Sequence, residues 1–287
     1  MKREYPNRCV IKLDKIEAGL VSLAVVSVVT HLLIDPYQDP LYDAVEIILY
    51  LTPPIVAVIS SGYLLKRFWK SSIPPLFLGL FLGLFLWLTA EITWEIYRCF
   101  LAIEIPYPSV ADVVWIIGYI PFGYVMVSLY NMSKIALKTK TKVVSLAFAS
   151  LMAIIVAFFL IEPLLIYPSD DLATTFFDLA YPLFDVFFAF FSISILFSLL
   201  VVKRGLKWFP VPLFFAINVL ADLLFSYLTS QEMYFNGHPV DVLWMLAYWV
   251  IAYGCYKAET FDFLARLQYP KIEKGKPEAR NLSVPIH

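Results

Sequence analysis

Eight stretches of about 20 apolar residues follow one another along this chain, and no other feature restricts its fold as strongly. Inside a bilayer the backbone amides have no water to bond, so runs of this length cross as helices. The windows are Ile16–Ile34, Tyr42–Leu65, Pro74–Phe100, Ser109–Tyr130, Val143–Ile166, Thr175–Val202, Phe209–Ser230 and Pro239–Tyr256. Composition agrees, since 61% of the 287 residues are hydrophobic and only 16% charged. A soluble domain carries about 25% charged residues. The expected class is all-α, a polytopic integral membrane protein of eight transmembrane helices.

The segments between the windows alternate in charge. The N-terminus, "KRFWK" (Lys66–Lys70), "KIALKTKTK" (Lys134–Lys142), "KRGLKW" (Lys203–Trp208) and the C-terminal tail together hold 21 of the 22 Lys and Arg residues. The intervening segments, such as "DPYQDP" and "YPSDD", hold none, and only Arg98 lies near them. The positive-inside rule then places the basic loops and both termini in the cytoplasm, with the chain in the cell membrane. The net charge of −1 gives no reason to expect a nucleic-acid partner. The apolar run after "MKREYPNRCVIKLDKIEAG" is too long for a signal-peptide core and is read as a retained first helix. The tail, 259–287, is polar and expected to be mostly disordered beyond a short surface helix near Phe261–Leu267, its basic residues drawn to anionic lipid.

The chain also contains itself twice. "LIDP" (Leu33–Pro36) returns as "LIEP" (Leu160–Pro163), "PLYD" ending at Asp43 as "PLFD" ending at Asp185, and Lys66-Arg67 as Lys203-Arg204. "TAEITW" (Thr89–Trp94) matches "LADLLF" (Leu220–Phe225), and "PSVADVVWIIGY" (Pro108–Tyr119) matches "HPVDVLWMLAY" (His238–Tyr248). The expected units are 1–142 and 143–258, two four-helix repeats. Four being even, they should run parallel and be related by a pseudo-two-fold axis along the membrane normal, with a site at their interface.

Acids inside apolar windows are the candidates for that site. Each ionised carboxylate costs at least about 2.5 kcal/mol to insert at a helix centre, so such groups face a bundle interior or a wet cavity. Glu91 and Asp222 are repeat equivalents, as are Asp43 and Asp185, and Asp112 and Asp241. Together with Trp94, Trp115, Trp244 and Asn218, four residues before Asp222, they are expected to line an acidic, aromatic pocket open to the exterior. A second reading stands beside this one. Asp112, Asp241 and Asp43 fall in first turns, where a carboxylate caps free amides, and the deeper acids can bond between helices. Tryptophans near helix ends also serve as interfacial belts.

Other chemistries find little support. Cys9, Cys99 and Cys255 have no zinc or disulfide spacing. His31 and His238 fall near Asp35, Asp39, Glu232 and Asp241, so a divalent metal is chemically feasible there, but no cofactor is expected. No span has a lysine near its centre for a retinal Schiff base, and neither a phosphate-cradling glycine loop nor a nucleophilic triad spacing occurs. An acid-only active site on Glu91 and Asp222 stays open, although the chain reads more as a non-enzyme.

"PSVADVVWIIGY", "DLAYPLFDVFFAFF" and "GHPVDVLWMLAY" resemble the recurring Pro-Ser-x-x-Asp-x-x-Tyr/Trp and Asp-x-x-Tyr-Pro-x-x-Asp motifs of multi-pass input domains. Those domains precede diguanylate cyclase, PAS or histidine kinase modules in prokaryotic signalling proteins. The similarity extends over most of Asp43–Tyr256. It implies a sensor that binds a small ligand and, with no output module expected on this chain, hands its signal to a separate cytoplasmic or membrane partner. The leading expectation is thus a receptor-like or accessory module binding a small ligand, a cation or a lipid between its halves. A proton- or Na⁺-coupled secondary transporter and a lipid- or isoprenoid-modifying membrane enzyme are the alternatives.

Overall fold

The computed structural model describes residues 15–34, 42–70, 74–101, 105–133, 139–166, 171–202 and 209–257. These form α1 (Lys15–Leu33), α2 (Tyr42–Phe68), α3 (Pro74–Glu95), α4 (Val110–Ser133), α5 (Thr139–Ile166), α6 (Leu172–Val202), α7 (Pro210–Ser230) and α8 (Val242–Tyr256). A π-helical segment, Ile96–Leu101, extends α3, and a 3-10 turn, Pro239–Asp241, precedes α8. No strand occurs among the described residues. The apolar windows therefore became helices with ends close to those expected. The tail from 258 onward, with the expected helix at Phe261–Leu267, lies outside the described residues.

Among the described residues six helices are long and apolar enough to cross a membrane: α1, α2, α3 with its extension, α4, α6 and α7. α8 is shorter, at 15 residues. Large apolar side chains cover the outside, among them Leu33, Ile59, Ile120 and Ile154, as expected where lipid replaces water. Helical structure continues in α2 through Pro53 and Pro54, and in α4 through Pro121.

Neighbouring helices close into a ring. α2 packs on α3, α3 on α4, α4 on α6, α6 on α7, α7 on α8, and α8 back on α2. Triplet α2–α3–α4 and triplet α6–α7–α8 thus meet at two seams, α4 with α6 and α8 with α2, the pattern a duplicated unit produces. The outlying helices break the symmetry. α1 lies on α8 and touches α2, whereas α5 lies along α6 and touches α7. In consequence α8 is buried on almost every side, while α4 turns Val110, Val113, Ile117, Ile120, Tyr124 and Val127 outward at helical spacing.

α1 attaches through polar groups. Its buried residues are Glu17, Ser27 and His31, and all three face partners near α8. Lys257 pairs with Glu17, the Trp249 indole N–H donates to Ser27 Oγ at 3.2 Å, and His31 Nε2 lies 3.2 Å from the His238 carbonyl. Where lipid surrounds a helix, apolar surface supplies no net drive to associate, and such bonds help to fix the docking face.

Within the ring, aromatic rings fill the space. Phe188 stacks on Phe215 at 4.5 Å, Tyr119 on Phe184 at 4.5 Å, and Trp87 meets Phe122 edge-on at 4.9 Å. Glycine makes the α3–α4 approach close enough for this. A Cβ at Gly83 would lie 2.4 Å from the Phe122 ring, and one at Gly118 would lie 2.5 Å from the Trp87 ring. Gly83→Leu should therefore force the seam apart and cost about 1–3 kcal/mol, seen as a lower melting temperature in detergent. Gly19→Leu, where nothing lies within 4 Å, should leave the melting temperature unchanged.

Candidate functional site

Each acid reaches the ring interior because of its place on a helix. α3 climbs from Pro74, so Glu91 comes one turn beyond the buried Trp87. α7 climbs likewise, bringing Asp222 one turn beyond the buried Asn218. α4, α6 and α8 descend from the same end and carry Asp112, Asp185 and Tyr248 to meet them.

Five helices, drawn from both triplets, contribute to one polar centre. The Tyr248 hydroxyl of α8 donates to Glu91 Oε1 on α3 at 3.1 Å, and Trp115 of α4 stands beside the same carboxylate. The Trp244 indole N–H donates to Asp222 Oδ1 at 3.0 Å. The carboxyl groups of Asp185 and Asp222 face one another across the α6–α7 contact. Asp185 is 4% exposed, whereas Glu91 and Asp222 are half-buried, so the centre is closed at α6 and more open at α3 and α7. Beneath it, toward the end that carries Lys66 and Arg67, Trp87, Phe122, Phe188 and Phe214 form a buried aromatic layer. The Trp87 N–H is itself spent on the Trp115 carbonyl at 3.1 Å.

Asp112 does two jobs at once. Its Oδ2 accepts from the Ser109 amide and hydroxyl, both at 2.7 Å, while Ser109 Oγ accepts from the Asp112 amide, a reciprocal cap on α4. Its Oδ1 accepts from the Tyr181 hydroxyl at 2.8 Å, which ties α4 to α6. Nearby, the Tyr107 hydroxyl donates to Asp178 at 2.7 Å; burial first, and then that carboxylate, raise the Tyr107 pKa above its usual range.

A second cluster surrounds Arg98, which sits in the π segment. Its Nη2 lies 2.8 Å from Glu95 Oε2, and its Nη1 lies 3.1 Å from Asp43 Oδ1. Nη1 also lies 2.9 Å from Glu46 Oε2, an ion pair set off the hydrogen-bond line. Glu46 is buried, but the Asp43 side chain is 79% exposed. This changes the repeat register. Glu46 follows Tyr42 by four residues as Asp185 follows Tyr181, and both acids turn inward, so Glu46 rather than Asp43 is the counterpart of Asp185.

Asp241 belongs to a third group. Its Oδ2 accepts from the Gly237 amide at 3.1 Å, and the Tyr50 and Tyr234 phenols face the carboxylate. Burial, followed by the Asp241 charge, raises the Tyr234 pKa. Gly237 is required twice over: its φ is +86°, and a Cβ there would lie 2.0 Å from the Tyr42 hydroxyl.

The structure therefore brings together Glu91, Asp222, Asp185, Trp115 and Trp244, with Asp112 joined through Tyr181. Trp94 borders this centre, its ring 5.8 Å from Trp115. Asp43 and Asp241 stand apart. Asn218 donates to the Phe214 carbonyl of its own helix at 2.8 Å. His31 and His238 do meet, but the His238 ring accepts from the Val240 amide at 3.1 Å as a cap. Among the described residues no three His, Cys, Asp or Glu side chains are grouped as a metal would need. Sequence reasoning missed Tyr248 and Tyr181, whose hydroxyls are invisible in an aromatic-rich pattern until a carboxylate partner is known. Glu46 was recognisable as an acid deep in an apolar run, but not its pairing with Arg98, 52 residues away. No protein-family model, curated protein or solved structure matches the chain.

Removing Arg98 would strand the buried Glu46. Arg98→Gln should cost about 3–5 kcal/mol, the range for breaking one partner of a buried pair. Arg98→Gln combined with Glu46→Gln and Glu95→Gln, which leaves neither buried acid charged, should recover most of that loss, as read from melting curves of the purified protein.

Proposed function

We propose that the chain is a receptor-like or accessory membrane module that binds a small cationic ligand at the centre formed by Glu91, Asp185 and Asp222. In this reading α5 and α8 also span the bilayer. The spans then number eight, arranged as two parallel four-helix repeats, and both termini lie in the cytoplasm, as the loop charges favour. The acids would face the exterior of a cell membrane, and a partner protein on the opposite side would receive the signal.

One observation carries the reading: acids and phenol or indole donors from both repeats converge on a single centre, yet among the described residues no Lys or Arg pairs with them. Internal comparison supports a cation. In the first repeat Arg98 sits among Glu46, Glu95 and Asp43; in the second, the positions corresponding to Glu95 and Arg98 are Ser226 and Thr229. Carboxylates grouped in this way suit an ammonium or guanidinium group, which pairs with them by charge and hydrogen bond. A ligand that bridges the repeats would favour one packing of the triplets over another, which is what a switch requires. The buried aromatic layer below the acids favours this over a conduit across the membrane.

Methylguanidinium or choline should raise the melting temperature of the detergent-purified protein beyond a KCl control of equal ionic strength. Saturation at a hundredfold excess over Kd corresponds to about 2.7 kcal/mol. Glu91→Gln with Asp222→Asn should abolish that excess shift. The same shift in the double variant, or none beyond KCl in the parent protein, would count against the site.

A further inference from the structure

At the end of α2 remote from the acids, Lys66, Arg67 and Lys70 form no ion pair with an acid among the described residues. All three are exposed, and the Arg67 guanidinium carbon stands 5.7 Å from the Phe68 ring centroid. Together with Trp69 they rim a hollow of about 500 Å³ between α2 and α3. Among the described residues no Asp or Glu lines it. Below the rim the wall is apolar, made by Leu65, Phe81 and the bare backbone of Gly62. A Cβ at Gly62 would lie 3.3 Å from Phe81, so glycine keeps this wall recessed.

The geometry points to a binding site for one anionic phospholipid. The phosphate would lie among Lys66, Arg67 and Lys70, and an acyl chain would run down over Gly62 and Phe81. Three features favour this occupant over a soluble anion. The basic groups sit at a helix end, where head groups lie, and basic pockets between membrane helices recognise such head groups. Trp69 is 58% exposed beside them, suited to the interface between polar and apolar phases. The hollow continues into an apolar wall that a free phosphate would not use. Its volume falls within the range of about 300–1,000 Å³ typical of small-ligand sites, enough for a head group and part of one chain. On α3 the nearest lining residue, Phe81, comes 10 residues before Glu91, about 15 Å along the helix, and the site does not rest on the function proposed there.

Native mass spectrometry of the protein in a nonionic detergent tests this, with dioleoylphosphatidylglycerol and dioleoylphosphatidylcholine supplied in equal amounts. Phosphatidylglycerol should be retained in preference. Replacing Lys66, Arg67 and Lys70 by Gln should weaken its retention about fivefold per charge removed. These side chains are exposed, so the melting temperature without lipid should not change. Gly62→Leu keeps every charge but fills the recess, and it should weaken retention as well. Equal retention of both lipids, or full retention in the triple Gln variant, would overturn the proposal. So would wild-type retention in Gly62→Leu, which would reduce the effect to surface charge, or displacement by soluble glycerol phosphate at the lipid's own concentration, which would make it a phosphate site.

Discussion

A carboxylate within a membrane-crossing helix must be met by a hydrogen-bond donor or a cation, and that requirement organises this molecule. Lipid offers neither. Glu91 is met by Tyr248, Asp222 by Trp244, Asp112 by Ser109 and Tyr181, and Glu46 by Arg98. Two of these partners, Tyr248 and Tyr181, lie on a helix of the other triplet. Satisfying the acids and joining the two triplets are therefore one event. In a bilayer this matters more than it would in water, because apolar contact alone gives two helices little reason to prefer each other over acyl chains.

The ring order is the one expected of two related triplets, yet the triplets treat their acids differently. In the first, Arg98 gathers Glu46, Glu95 and Asp43 into a neutralised cluster. In the second, Asp185 and Asp222 face one another with no such side chain. The placement of α1 and α5 adds to the divergence: α1 shields α8, and its equivalent α5 leaves the outward face of α4 to lipid. Thus α2 and α3 carry a cation beside their acids, whereas Asp185 and Asp222 are met by one another and by Trp244.

Much of the helix layout was legible from hydropathy alone, because a run of about 20 apolar residues has few alternatives to a helix. That Glu91 and Asp222 turn away from lipid toward donors on α8 was legible too, since an acid within an apolar run needs such partners. Other features were not. The tyrosine hydroxyls that hold the acids sit within an aromatic pattern that reads as packing. His31 and His238 looked like metal ligands because sequence gives proximity without orientation; the His238 ring in fact caps its own turn. Asp43 was aligned with Asp185 through a shared Pro-Leu-aromatic-Asp string, whereas burial selects Glu46 three residues later.

The central claim is that the two repeats are coupled through the acids they share. A double-mutant cycle on Glu91→Gln and Tyr248→Phe measures that coupling directly, since these side chains lie on different triplets and bond at 3.1 Å. The account predicts a coupling energy of about 0.6–1.7 kcal/mol, the span found for hydrogen bonds between membrane helices. Strict additivity of the two substitutions, within about 0.3 kcal/mol, would contradict it.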